Sequence, residues 1–221
     1  MSINQPTLPS EWNEEFAYLF GLLLGDGTLP NFSSKRPPNY KNKYQKRHVI
    51  CFISNSKQFI ERVYNPCFCS VFGLNPNIIK RIRLNRNVIF WSRIESIMIY
   101  KFLEKWGFTT GKKARIASVP KTLPDNLSPF LLAGLLDTDG GKKANGFGLS
   151  TASEHLAKFC MKVFDQFDIP FHSCPWHKNN HTYHQIYTGR RTMHKILEHI
   201  PLRHPDKISF LISYQKHLKK I

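Results

Sequence analysis

Acidic residues are scarce in this chain. Its 221 residues include 32 Lys and Arg against 15 Asp and Glu, for a formal net charge of +17 and an isoelectric point near 9.8. Such a surplus implies a polyanionic partner, with nucleic acid the foremost class. Long apolar runs are missing as well. The longest, Phe16 to Leu24, covers nine residues, far short of the ~20 that a membrane helix needs, so no transmembrane span is expected. The five cysteines, Cys51, Cys67, Cys69, Cys160 and Cys174, are odd in number and form no C-x-x-C pair, which argues against a disulfide framework. The start, Met1-Ser2-Ile3-Asn4-Gln5-Pro6, lacks the basic stretch and apolar core of a secretory signal. A reduced, intracellular setting follows, in the cytoplasm or an organelle matrix. With 41% hydrophobic and 13% aromatic content, the chain can bury one or two cores and accommodate two small domains.

Two stretches nearly repeat one another: Leu19-Phe20-Gly21-Leu22-Leu23-Leu24-Gly25-Asp26-Gly27 and Leu132-Ala133-Gly134-Leu135-Leu136-Asp137-Thr138-Asp139-Gly140. Each reads as an apolar helix ending in Asp-Gly, and a left-handed glycine closing the helix puts Asp26 and Asp139 in the last turn. That is the negative pole of a helix, where a carboxylate costs roughly 0.3 to 1 kcal/mol unless a cation offsets it. One such helix is most simply a plain core helix with its cap. Two in matching positions point to function, and a divalent metal such as Mg²⁺ or Mn²⁺ is the simplest compensating partner for oxygen ligands. Gly21 and Gly25 lie one turn apart, as do Gly134 and Thr138. Small residues on one helical face let two backbones approach, and packing of these helices would bring Asp26 and Asp139 together at a pseudo-twofold axis. Backbone carbonyls such as those of Gly25 and Thr138 would complete the oxygen set.

Charge is distributed unevenly. From Gly27 to Ile94 a single acid, Glu61, faces thirteen Lys and Arg, among them Lys35, Arg36, Lys41, Lys43, Lys46, Arg47, Arg81, Arg83, Arg86 and Arg93. Ile82 and Leu84 alternate with Arg81 and Arg83 before Asn85-Arg86-Asn87 and the run Val88 to Arg93. The pattern predicts a hairpin, apolar toward helices and basic toward a ligand. A two-stranded ribbon fits the major groove of DNA, where Arg pairs with guanine and Asn or Gln with adenine. A charged edge strand guarded against aggregation is the plainer alternative. A second tract, His172 to Tyr187, carries His177, Lys178, Tyr183 and Gln185. Histidine-rich segments bind zinc in other settings, but no cysteine or carboxylate completes a tetrahedral set nearby, so these side chains, with Lys143, are read as DNA contacts.

The halves repeat beyond the motifs. Asp26 and Asp139 are 113 positions apart, whereas Asn55 and Thr151 are 96 apart, Phe72 and Phe167 are 95 apart, and Lys101 and Lys195 are 94 apart. The drop of seventeen locates a basic insertion around Lys35 to Arg47. Each half therefore reads helix, two strands, helix, two strands, helix. A linker is expected near Gly111 to Asn126, with Ser128 as N-cap and Pro129 as first helical residue of the second half.

This constellation resembles the LAGLIDADG homing endonucleases. LAGLLDTDG is a close match at all nine positions; LFGLLLGDG departs at Phe20 and Leu24, neither of them a ligand position. The resemblance implies an α+β fold of two pseudo-symmetric αββαββα units, residues 1–118 and 119–221, with saddle-shaped antiparallel sheets facing DNA and the motif helices at the inter-domain seam. It implies a single-chain, monomeric enzyme that hydrolyses both strands of a long asymmetric site to short 3′ overhangs, associated with an intron or an intein. Asp26 and Asp139 would carry the metal. Asp137, at the sixth position, is not the acid carried over. Lys113 and Lys207, which follow the third helix of each half, and Lys142 are the candidates for basic side chains that polarise water and spread charge in the transition state. Asn55 and Thr151 resemble the family's polar, solvent-organising position. Some relatives assist intron RNA splicing and others bind DNA without cutting it, so an RNA-binding maturase or a non-cleaving regulator is the alternative.

Overall fold

In the computed structural model, the described residues are 5–37, 39, 41, 43–83 and 87–218. Two helices at the centre organise everything else. The first, α1 (Glu14–Asp26), starts where the Asn13 side chain accepts the Phe16 amide at 2.8 Å, with Glu14 and Glu15 in its first turn, and every residue from Phe16 to Leu24 is buried. The second, α5 (Ser128–Thr138), follows a 3-10 turn at Asp125–Leu127. Ser128 is thus already helical and makes no side-chain cap; the preceding turn supplies the entry that the expected N-cap would have given.

The helices cross at their glycines. A Cβ on Gly21 would lie 2.1 Å from the Leu131 carbonyl oxygen, one on Gly134 would lie 2.3 Å from that of Tyr18, and one on Gly25 would strike the Thr138 hydroxyl. The small-residue spacing is therefore a packing requirement, since each contact is closer than any side chain tolerates. The glycines that end the motifs behave otherwise than expected. Gly27 is extended (φ −79°, ψ 159°), and Gly140 opens a strand rather than adopting a left-handed cap. A Cβ would meet the Leu23 carbonyl oxygen at 2.6 Å and that of Leu136 at 2.3 Å. Glycine is needed there because the chain turns from helix into sheet against its own last turn.

Each helix leads into an antiparallel sheet. In the first unit β1 (Gly27–Thr28), β3 (Tyr44–Ser54), β5 (Val88–Glu95) and β4 (Asn77–Ile82) lie in the order β1-β3-β5-β4, and β2 (Asn31–Lys35) also pairs with β3. In the second, β6 (Gly140–Lys143), β7 (Gly146–Thr151), β9 (His181–Gly189) and β8 (His172–Lys178) run β6-β7-β9-β8. The expected helix-strand-strand order holds, with two additions: β2, formed within the basic insertion, and a terminal helix in the second unit. Behind the first sheet, α2 (Lys57–Phe59) passes through a π turn (Ile60–Tyr64) into α3 (Asn65–Phe72). Pro66 explains the π turn, since it has no N–H for Arg62 and its ring would press on that carbonyl. The face is completed by α4 (Ile97–Lys105). Behind the second sheet lie α6 (Glu154–Gln166), α7 (His194–His199) and α8 (Pro205–Leu218). One continuous core joins both units through α1 and α5.

Strand pairing corrects the internal alignment by one residue. Gly27 pairs with Phe52 and Gly140 with Leu149, so equivalent residues lie 97 apart and the insertion is sixteen residues long. The capping bonds agree: the Ser54 hydroxyl accepts the Ser56 amide and the Thr151 hydroxyl accepts the Ser153 amide, both at 3.1 Å. Thr151 thus corresponds to Ser54 and not to Asn55, which is exposed beyond the strand end. The hairpin β4–β5 forms as expected, but at the end of β4 Ile82 is 68% exposed; Leu84 to Arg86 lie outside the described residues. The Asn179-Asn180 turn of β8–β9 has both residues at positive φ, 50° and 58°, the geometry of a tight two-residue hairpin.

Candidate active site

The crossing of α1 and α5 sets the carboxyl ends of both helices side by side, with Asp26 the last residue of one and Asp139 the cap of the other. Each acid senses its neighbour's environment. Burial, then the proximity of Asp139, pushes the Asp26 carboxyl up to about 6. Burial also raises Asp139, opposed by Lys113, Lys207 and Lys143. The two lysines close the site from either side. The Lys113 ammonium donates to the carbonyls of Leu24 and Gly25, the latter at 2.6 Å, and Lys207 donates to those of Leu136 at 2.7 Å and Thr138 at 3.0 Å. These carbonyls belong to the last turns, where the donors four residues on run out, and the cations sit at the negative helix poles. Burial lowers both ammonium groups to about 8, opposed by Asp139 and Asp26 at Lys113 and by Asp137, then Asp26 and Asp139, at Lys207.

Lys113 and Lys207 are equivalent, 94 positions apart, yet they arrive differently. Lys113 comes from the loop after α4, where the Gly111 amide donates to Leu29 O at 3.1 Å. Lys207 is in the first turn of α8. The carbonyls of Gly25 and Thr138, expected as metal ligands, are engaged by these lysines in this structure. Each ammonium uses two of its three donors there. Lys142, a further catalytic candidate, is exposed, and strand alternation turns its neighbour inward instead: Lys143 donates to the Ser150 hydroxyl at 2.6 Å and interacts with Asp139. Thr151 lines a cleft of about 890 Å³ shared by Asp139, Lys113, Arg115, Ser150, Trp176 and Tyr183.

The donor set suits a hard divalent cation. Two neighbouring carboxylates repel one another and are held partly out of water, an arrangement that a cation relieves. Among the described residues no group of three His, Cys, Asp or Glu converges. Water and phosphate oxygens would therefore supply the remaining ligands, as is usual for Mg²⁺.

The outward sheet faces sort the expected DNA contacts. In the first unit, register puts Arg81 and Arg93 on the same face as Cys51 and Trp91, opposite the buried Ile50 and Phe52; Arg81 stacks over Trp91 at 4.5 Å from its centroid. Arg83 is exposed beside the hairpin end. Arg47 lies toward the outward side but forms an ion pair with Glu95. Lys46 and Lys35 belong to the opposite side, because Lys46 alternates with Arg47 and Lys35 pairs with Tyr44. Arg36 is half-buried, Lys41 and Lys43 are exposed in the connecting turn, and Arg86 lies outside the described residues. In the second unit, Lys178, Tyr183 and Gln185 share the outward face with Trp176 and Cys174. His177 does not: its register partner is Thr182, whose hydroxyl lies 3.1 Å from His177 Nδ1, on the helix side. Sequence reading missed Trp176 and Arg115. The period-two alternation with Tyr183 on a paired strand was the available signal for Trp176, which stacks on Tyr183 at 5.2 Å between centroids.

Comparison with known proteins gives concordant findings. Residues 130–201 match the LAGLIDADG-like domain. The homing endonuclease I-DmoI in complex with DNA and Ca superposes with a TM-score of 0.61 at 15% identity, covering 89% of this chain and 96% of that one. Meganuclease I-SmaMI bound to uncleaveable DNA with a TTGT central four gives 0.59 at 15% identity, covering 96% and 90%. The replication factor C small subunit of Methanocaldococcus jannaschii is 27% identical over 213 residues, 94% of this chain but 10% of that protein. This chain thus spans about a tenth of that relative's length.

Proposed function

We propose that this chain, built as two units on the LAGLIDADG meganuclease fold, is a divalent-metal-dependent endonuclease that cuts both strands of a specific DNA duplex. The observation carrying this reading is the convergence of Asp26 and Asp139 with Lys113 and Lys207 at the helix crossing, between the two sheets. Complexes of similar proteins with DNA and Ca or Mn support it.

Asp26 and Asp139 would hold Mg²⁺ or Mn²⁺, each acid serving one strand. When bound, the metal lowers the pKa of the attacking water and offsets charge on the phosphate and leaving 3′ oxygen. The remaining roles belong to the chain. With ammonium groups near 8, Lys113 and Lys207 stay charged at neutral pH and direct their third N–H toward phosphate or water, while exchanging protons readily. Thr151 and Ser54, at equivalent strand ends, order solvent on the two sides. Arg81, Arg83, Arg93, Lys41, Lys43, Lys143 and Lys178 bind the duplex, and Tyr183 and Gln185 read its edges. We place the boundary between units at residues 118 and 119, within the stretch joining α4 to α5. Both acids reside in one chain, so a monomer suffices for an asymmetric site. The products would be short 3′ overhangs.

Selection of cleaved duplexes from a randomised library with Mg²⁺ tests the reading. Cleavage at one asymmetric sequence, lost in Asp26→Asn and Asp139→Asn, is expected. Tight duplex binding with no cutting in any divalent metal would overturn it in favour of a DNA-binding regulator.

A further inference from the structure

Asp137 has no counterpart in the first unit, where Leu24 takes its place. It is only 2% exposed, yet α5 carries it at the helix crossing. Its Oδ2 accepts two hydrogen bonds from different parts of the molecule, from the Tyr18 hydroxyl on α1 at 2.6 Å and from the Arg203 backbone amide at 2.7 Å. Arg203 is itself fastened to α1, with its guanidinium 4.1 Å from the Tyr18 ring centroid and paired with Glu15 at 2.8 Å. The next residue, His204, stacks on Phe59 and accepts the Lys207 amide at 3.1 Å, forming the first turn of α8. A buried carboxylate thus grips the strap that delivers Lys207 to the Leu136 and Thr138 carbonyls. Among the described residues its second oxygen meets no partner within hydrogen-bond geometry, although the His204 backbone also favours the charged carboxylate, and a buried carboxylate is costly unless its bonds are made. A residue kept only for packing would be better replaced by the leucine found in the first motif.

We propose that Asp137 is the positioning residue for Lys207. It anchors residues 201–204 to both central helices, so that the second lysine of the site is seated from within the motif, whereas Lys113 is seated by its own loop backbone. The consequence for cleavage rests on the nuclease reading; the seating itself does not.

Trace acylation of lysines in the full chain, read by peptide mass spectrometry, measures the seating with Lys113 as internal reference. Asp137→Leu should raise Lys207 labelling roughly three- to tenfold, the size expected for a lost hydrogen bond, with Lys113 unchanged. Asp137→Asn retains an accepting oxygen but loses the charge that most opposes deprotonation of Lys207, so it should raise Lys207 labelling less than Asp137→Leu does, and equal labelling in the two variants would overturn the proposal. Lys207 labelling unchanged in Asp137→Leu, or rising together with Lys113, would overturn the proposal. If Asp137→Leu does not fold, Tyr18→Phe decides: a rise confined to Lys207 supports the anchor, and no rise refutes it. With a cleavable duplex in hand, Asp137→Leu and Lys207→Met should each slow the same strand, and the double variant should be no slower than Lys207→Met alone. Additive losses would refute the coupling. A wild-type chain that cuts nothing refutes the nuclease reading and leaves the labelling result to judge this one.

Discussion

The two units share a plan and differ in how they meet a ligand. In the first, the outward sheet is guanidinium-rich, with Arg81 lying over Trp91 and Arg93 beside them. In the second, the position equivalent to Arg81 is Trp176 and that of Ile89 is Tyr183, and the two rings stack across the strands. The first unit also has sixteen more residues between its first two equivalent strands, forming β2 and the start of β3; the second turns back at once and places Lys143 beside Asp139. Duplication kept what the helix crossing demands and left the sheet faces free to diverge. On the proposed function, an asymmetric protein of this kind would suit an asymmetric target, read by charge on one side and by stacking on the other.

The comparison can be broken at its shared part or sharpened at its divergent parts. The largest effect is expected at the acids. Asp26→Asn and Asp139→Asn should each reduce double-strand cleavage by about 100-fold or more while retaining duplex binding; end-labelled substrates check which strand survives, and full cutting by either variant removes the equivalence of the acids. Lys113→Met and Lys207→Met should each slow one strand by about 100-fold, so that nicked duplex accumulates. Equal slowing of both strands by either variant would show that the lysines act jointly.

On the sheet faces, Arg81→Ala and Trp176→Ala should each weaken binding by about 1 to 3 kcal/mol, for different reasons. Affinity measured against salt concentration separates them: the arginine variant should have a shallower slope, by about 1 if Arg81 meets a phosphate, and the tryptophan variant an unchanged one. Identical slopes would erase the contrast between units.

The smallest effect concerns stability. The Asp26 carboxyl is raised to about 6 by burial and by Asp139, so the folded protein holds this proton more tightly than the unfolded chain does. Stability from that proton is complete below the unfolded value near 3.8 and is lost as pH rises through about 6. Asp26→Asn should therefore be more stable than wild type at pH 8, by about 1 to 2 kcal/mol, and no more stable below about pH 4. Thermal melts across that range measure it. The same proton competes with a cation, so Mg²⁺ affinity should fall as pH drops through about 6.

Much of this was legible in the residues themselves. Motif spacing announced two helices packed through Gly21 and Gly134, and Lys113 and Lys207 were singled out by their place after the third helix of each half. Alternation exposed the hairpin of Arg81 and Arg93. Other features were not legible, for physical reasons. A one-residue slip between Asn55 and Ser54 is invisible without strand pairing, yet it turns every side chain to the other face. For the same reason Lys142 and Lys143, or His177 and Lys178, could not be sorted by type. Gly27 and Gly140 looked like left-handed caps because glycine serves both conformational freedom and close approach, and only coordinates show which one a site requires.

Local composition by itself determined the paired helices, the basic hairpin of the first unit and the acids at the helix ends, because periodicity and residue size act over a few neighbours. Tertiary structure alone decided which lysines reach those acids, which sheet residues face outward, and that Asp137 ties α1 to the approach of α8. Those outcomes depend on contacts between segments far apart along the chain, where register and crossing geometry, rather than residue preference, select the neighbour.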